Sequence, residues 1–231
     1  MATYNEIAYD IIELLKNNQI SDDVDISLEH VLYHVNNQRA LWLRNEYNKP
    51  GRKIDQHLVQ DLGCLKIIEV DAAECCSIST DCIALRTEKK IPALIELHSG
   101  TALQRVGPIN KFAEPYPVTT GTVSVYSKHN KYTGGMIQAV FLNDYIYLII
   151  PDPAMQNLEY INVRAIVANP ADMVEFRCDS TGTPCFSYDD EYPINNWMLP
   201  YVKEQILQQF GMSIQLPKDN DNNAKDNLSQ S

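Results

Sequence analysis

The chain opens on an amphipathic rhythm. Tyr4, Ile7, Ala8, Ile11 and Leu15 recur at the i, i+3, i+4 spacing of one helix face, and the rhythm ends at Lys16-Asn17-Asn18. Asp22, Asp23 and Asp25 then lead to Ser27, whose hydroxyl suits the open N–H groups of a helix start. Leu28, Val31, Leu32, Val35, Trp42 and Leu43 keep helical spacing as far as Lys49-Pro50-Gly51. This predicts a second helix of about 20 residues and about 30 Å. A shorter helix is expected over Asp55 to Leu62, where Leu58 and Leu62 stand four apart and Gly63 supplies the stop.

After Gly63 the period changes. Leu65 to Val70 and Ile83 to Arg86 have strand character, and Ile91 to Leu97 reads as an edge piece because of Pro92. Residues 98–121 carry Gly100, Gly107, Pro108, Pro115, Pro117 and Gly121 and are expected to form a long loop. Val123 to Tyr126 is a further predicted strand, followed by a polar loop over 127–135. The clearest local signal is Ile137 to Leu142 and Tyr145 to Ile150, two apolar runs joined by Asn143-Asp144, which predicts a two-residue hairpin. Another strand is expected over Tyr160 to Val167, and a short helix near Pro170 to Glu175. Helical spacing returns in Trp197, Met198, Tyr201, Val202, Ile206 and Phe210, closed by Gly211, with Pro200 confined to the first turn. Beyond Pro217 there is almost nothing to bury.

The expected fold is therefore α+β. A helical bundle is built from both chain ends, residues 1–62 and 193–216, with residues 63–192 inserted as a β-rich, barrel- or sandwich-like domain. Residues 217–231 form an extended polar C-terminal arm that orders against a neighbour.

Composition adjusts this picture modestly. A hydrophobic fraction of 45% is ordinary for a globular chain. The longest apolar run, Tyr145 to Ile150, is far short of the roughly 20 residues of a membrane helix, so no membrane partner is expected. Met1 to Glu6 offers neither a basic region nor an apolar stretch, so no secretory signal and reduced cysteines are expected. With 30 acidic against 19 basic residues the net charge is −11, which disfavours whole-surface attraction to nucleic acid.

Candidate chemistry is sparse. Four of six cysteines, Cys64, Cys75, Cys76 and Cys82, fall within residues 64–82, with Cys178 and Cys185 far off. Their spacing fits no zinc ligand pattern, and small buried side chains at strand and turn positions account for them better than a metal or disulfide. His30 and His34 stand four apart on one helix face, but lack the Glu of a zinc-protease helix and are taken as a helix-edge pair. Asp189-Asp190-Glu191, before Tyr192-Pro193, reads as a turn. No phosphate-binding glycine loop and no Gly-x-Ser-x-Gly elbow occurs, so no catalytic residue, metal or cofactor is expected and the chain is taken as a non-enzyme. A small cysteine-based metal-binding or redox protein is the alternative from another class.

Three separated blocks carry a resemblance. They are the Asn5-Glu6-Ile7 helix with the approach to His30-Val31-Leu32; then Leu58-Val59-Gln60-Asp61-Leu62-Gly63-Cys64 through Asp71-Ala72-Ala73-Glu74-Cys75-Cys76 to Leu85-Arg86-Thr87-Glu88-Lys89-Lys90-Ile91-Pro92; and Asp189 to Ile194. Together they resemble a virion structural protein of crAss-like, short-tailed bacteriophages, of the tail-ring or head–tail adaptor group. The resemblance spans nearly the whole chain and implies a homo-oligomeric ring beneath the portal, a dodecamer, made in the host cytoplasm and located in the tail or neck of the virion. It also implies contacts to the portal and adjacent tail-ring proteins, and the net charge of −11, repeated in each subunit, leads to the expectation that DNA passes through the lumen without specific binding. A virion binding module that forms no ring is the alternative of neighbouring class. The two long loops are the expected contact surfaces, with Arg105, Lys111, Tyr116, Lys128 and Tyr132 as candidates, Arg and Tyr being favoured at interfaces.

Overall fold

The first two helices form where the apolar stripes place them. In the computed structural model, which describes residues 2–17, 26–71, 83–98, 100–119, 136–150, 158–177 and 183–215, α1 spans Tyr4–Asn17 and buries Tyr4, Ile7, Ala8, Ile11 and Leu15. Helix α2 spans Leu28–Tyr47, and the Ser27 hydroxyl accepts a hydrogen bond from the His30 N–H at 3.3 Å. The C-terminal helix α3 spans Leu199–Gln215 with Pro200 in its first turn, where a missing N–H costs nothing. Gly211 does not end it, as expected from sequence, but lies inside it, since glycine there costs only about 1 kcal/mol relative to alanine. Helix α2 packs against both α1 and α3, and α1 also touches α3.

The predicted helix over Asp55 to Leu62 is replaced by a single 3-10 turn, Gln56–Leu58, followed by strand β1, Gln60–Asp71. Leu58 and Leu62 are both buried, but one lies on the turn and the other on the strand, so their four-residue spacing does not report a helix. Gly63 is no helix stop either. With φ of 75° it sits where the pairing register shifts between Asp61 and Cys64, a bulge that glycine accommodates.

The remaining strands are β2 Ile83–Thr87, β3 Glu96–Leu97, β4 Gly100–Thr101, β5 Leu103–Gly107, β6 Val118–Thr119, β7 Gln138–Leu142, β8 Tyr145–Ile149 and β9 Tyr160–Ala165. The main sheet has the order β5-β9-β1-β2-β8-β7-β6 and curls into a nearly closed, barrel-like form. All its pairs are antiparallel except β6 with β7. Strands β3 and β4 form a separate two-stranded ribbon. The stretch expected as one long loop therefore holds three strands, because its glycines and prolines sit largely at strand ends. The hairpin of β7 and β8 turns at Asn143 and Asp144, with φ of 52° and 65°, the left-handed pair of a type I′ turn. A 3-10 helix at Pro170–Glu175 follows β9, capped by the Asn169 side chain. The expected strand at 123–126, the loop at 127–135 and the arm at 217–231 lie outside the described residues, as do Lys128 and Tyr132. Buried apolar residues from all three helices and from the sheet form one continuous cluster.

Candidate assembly surfaces

A buried polar joint fixes how the helices meet the sheet. Arg39 of α2 is fully buried, with 0% exposure. Its Nε donates to the Pro193 carbonyl at 2.7 Å, and its Nη1 to the carbonyls of Val167 at 2.9 Å and Ala168 at 3.4 Å. The guanidinium also lies 5.6 Å from the Tyr192 ring centre, a cation–π contact. One side chain thus ties α2 to the exit of β9 and to the approach of α3. Asn36, one helical turn earlier, accepts from the Tyr192 hydroxyl at 2.8 Å and donates to Asn169 at 2.7 Å and to the Tyr4 hydroxyl. Burial pushes the Tyr4 phenol up to about 12 and raises Tyr192 as well, so both remain neutral donors and acceptors. The acidic run is spent locally, as a turn. Asp190 accepts from the Ser187 N–H at 2.7 Å, and Asp189 from the Asn5 side chain at 2.9 Å, which pins the start of α1.

Two surfaces lie outside this joint. The first is an open groove of about 710 Å³ lined by Trp42, Tyr47, Trp197 and Tyr201, with Lys49, Arg52, Lys53, Glu46 and Asp55 at its polar edge. Trp42 and Tyr201 rings stand 5.3 Å apart. Trp197 and Tyr201 are each 49% exposed, so they do not belong to the buried stripe in which the sequence places them. That stripe is Met198, Val202, Ile206 and Phe210; the two aromatics form the adjacent row. At the rim, the Lys49 ammonium, with Arg52 alongside, holds the Glu46 carboxyl below its ordinary range.

The second surface is the loop after β5. Arg105 Nη2 donates to the Ala113 carbonyl at 2.8 Å and to that of Asn110 at 3.4 Å. Lys111 forms an ion pair with Asp61 at 2.6 Å, and the Tyr116 N–H donates to the Val106 carbonyl at 2.7 Å. A Cβ on Gly107 would meet Pro115 Cα at 3.3 Å, so the loop lies close against its own base. At its tip Phe112 is 99% exposed. Of the five predicted contact residues, Arg105, Lys111 and Tyr116 come together here, the first two as supports of the loop and Tyr116 half-buried at its end. Phe112 was not among them. A lone aromatic amid Asn110, Lys111 and Glu114 is the sequence signal that marks it.

A family model described as phage tail ring protein 2 matches residues 6–228. The chain belongs to that family. It is also similar to ring protein 2 of Bacteroides phage crAss001, 29% identical over 230 residues that make up 98% of each chain. Membership in the phage tail ring protein 2 family gives the chain a structural role in a virion. For a tail ring family the exposed aromatic surfaces are candidate contact sites.

The cysteines do not gather into a site among the described residues. Cys64 is free and lies exposed on β1, because the bulge at Gly63 turns it to the outer face together with Lys66. The expectation of a buried packing residue fails there. Cys185 is disulfide-bonded, contrary to the expectation of reduced thiols. Cys75, Cys76, Cys82 and Cys178 lie outside the described residues. No group of three or more His, Cys, Asp or Glu side chains is placed to hold a metal among the described residues, and none of their helices is long and apolar enough to cross a membrane. His30 and His34 do come together, with their Nε2 atoms 3.0 Å apart and both rings edge-on to Phe210.

Proposed function

We propose that the chain assembles with copies of itself into a ring of a phage tail, and that duplex DNA passes through this ring without being held by it. The observation that carries the reading is the family match over residues 6–228, with a relative named ring protein 2 that matches 98% of the chain. The net charge of −11 supports the passive part. A lumen carrying even some of that charge, repeated in each subunit, repels phosphates at separations within a Debye length of about 10 Å. In this reading the ring is a dodecamer in the tail or neck, seated beside the portal and the adjacent tail rings.

Residues 1–62 and 193–216, which carry α1, α2 and α3 together with the start of β1, form the core of each subunit, residues 63–192, which hold the rest of the sheet, reach neighbours, and residues 217–231 act as an arm on the next subunit. The loop carrying Lys111, Phe112 and Tyr116, braced by Arg105, supplies contacts, as do Lys128 and Tyr132. The test has two parts. Mass measurement and imaging of the chain in solution and in virions are expected to show a closed ring; a lone subunit in virions overturns the reading. Duplex DNA binding is expected to be weak at low and moderate salt alike. Tight binding that weakens steeply with salt overturns the passive conduit and leaves the ring standing.

A further inference from the structure

We propose that His30 and His34 form a two-imidazole clamp for a divalent late first-row metal ion, copper(II) foremost. The pair lies one turn apart on α2, the spacing at which two side chains share a helix face. Spacing alone does not make a ligand pair. Here the Nε2 atoms converge to 3.0 Å, and neither ring is left to find its own orientation. Phe210 of α3 meets both edge-on, at centroid distances of 5.3 Å and 5.1 Å, and Tyr33 meets His34 edge-on at 5.6 Å. The Gln209 side chain adds a hydrogen bond to His34. Residues of a second helix thus hold the two imidazoles in a convergent arrangement, which is the preorganisation a chelate requires. His30 remains exposed, so an ion with its waters can reach the pair.

The distance, that of a hydrogen bond between the two rings, also admits an ion shared by both nitrogens. An ion about 2.05 Å from each nitrogen, with the nitrogens 3.0 Å apart, sees them at roughly 95°. That is close to a cis angle of square-planar or octahedral coordination. No third His, Cys, Asp or Glu stands in position among the described residues, so water completes the sphere. Copper(II) and nickel(II) suit such tetragonal nitrogen and oxygen surroundings, and copper(II) binds more tightly. Proton balance is simple. Two neutral imidazoles carry one proton each; the one shared between the Nε2 atoms moves to Nδ1 of its own ring, leaving both Nε2 lone pairs free.

The experiment is copper(II) titration of the full chain in a non-coordinating neutral buffer, read by calorimetry and by electron paramagnetic resonance. One ion per chain is expected, with hyperfine coupling from two imidazole nitrogens. His30→Ala and His34→Ala should each weaken binding about tenfold or more, with His57→Ala within about twofold of the parent. Copper(II) should raise the melting temperature of the parent and not of either variant. His30→Gln provides a second variant if the alanine change disturbs α2. Coupling from fewer than two imidazoles, or folded variants that bind as the parent does, overturns the proposal.

Discussion

At the scale of single residues, two charged groups do opposite work. Arg39 is a buried cation whose Nε and Nη1 are met by three carbonyls and whose guanidinium lies against the Tyr192 ring, while Nη2 has no hydrogen-bond partner. Removing it strands those carbonyls and opens a cavity at the meeting of two helices and the sheet. Arg39→Ala should lower the unfolding free energy by roughly 3 kcal/mol, seen as an earlier midpoint in urea. Arg39→Lys should recover less than half of that loss, since one ammonium cannot reproduce the guanidinium fork. Asp61 is the converse case, an anion near the surface. Burial alone raises its pKa, but the Lys111 ammonium and the N–H groups of Gly63 and Asn162 outweigh burial, and the carboxyl is held below its ordinary value. Its stabilising effect is therefore complete above the unfolded value near 4 and is lost as pH falls through the lower folded value. Asp61→Asn should flatten the dependence of stability on pH below about pH 4, by under about 1 kcal/mol because Lys111 is mostly exposed. Unfolding midpoints at about pH 3 and about pH 7 measure it.

At the scale of elements, legibility followed the strength of the periodic signal. The stripes of α1 and α2 and the Asn143-Asp144 turn were plain in the sequence, since each rests on local spacing or local backbone preference. Leu58 and Leu62 misled for a physical reason: a 3-10 turn followed by a strand can bury two residues four apart as well as a helix does. Strands β4, β5 and β6 were hidden because short strands lying between prolines and glycines carry little pattern of their own and depend on partners distant in sequence. The Phe112 loop depends on long-range supports, Asp61 among them, and these could not be read from the loop itself. The hairpin offers a prediction at this scale. Asp144 holds a left-handed conformation that glycine adopts more easily, and its carbonyl contact to the Ile91 N–H survives substitution. Asp144→Gly should stabilise the chain by about 0.5–1 kcal/mol, read as a higher melting temperature; an unchanged or lower one would show that the exposed Lys90 pair matters more.

At the scale of the whole molecule, the virion role was legible from blocks of sequence, whereas the surfaces that serve it were not. Phe112 separates assembly from folding. At 99% exposure it contributes nothing to the core, so Phe112→Ser should leave stability within about 0.5 kcal/mol of the parent. In the ring we propose, the same change should reduce the yield of assembled particles, scored by sedimentation of folded protein; undiminished assembly would remove the loop from the contact surface. The Arg39 joint has a mechanical consequence as well. Because one buried side chain bonds α2 to the exit of β9 and to the approach to α3, any hinging of the helices upon the sheet must break those bonds. In the wall of the ring we propose, a load entering through the sheet would therefore be passed to the helices at this joint.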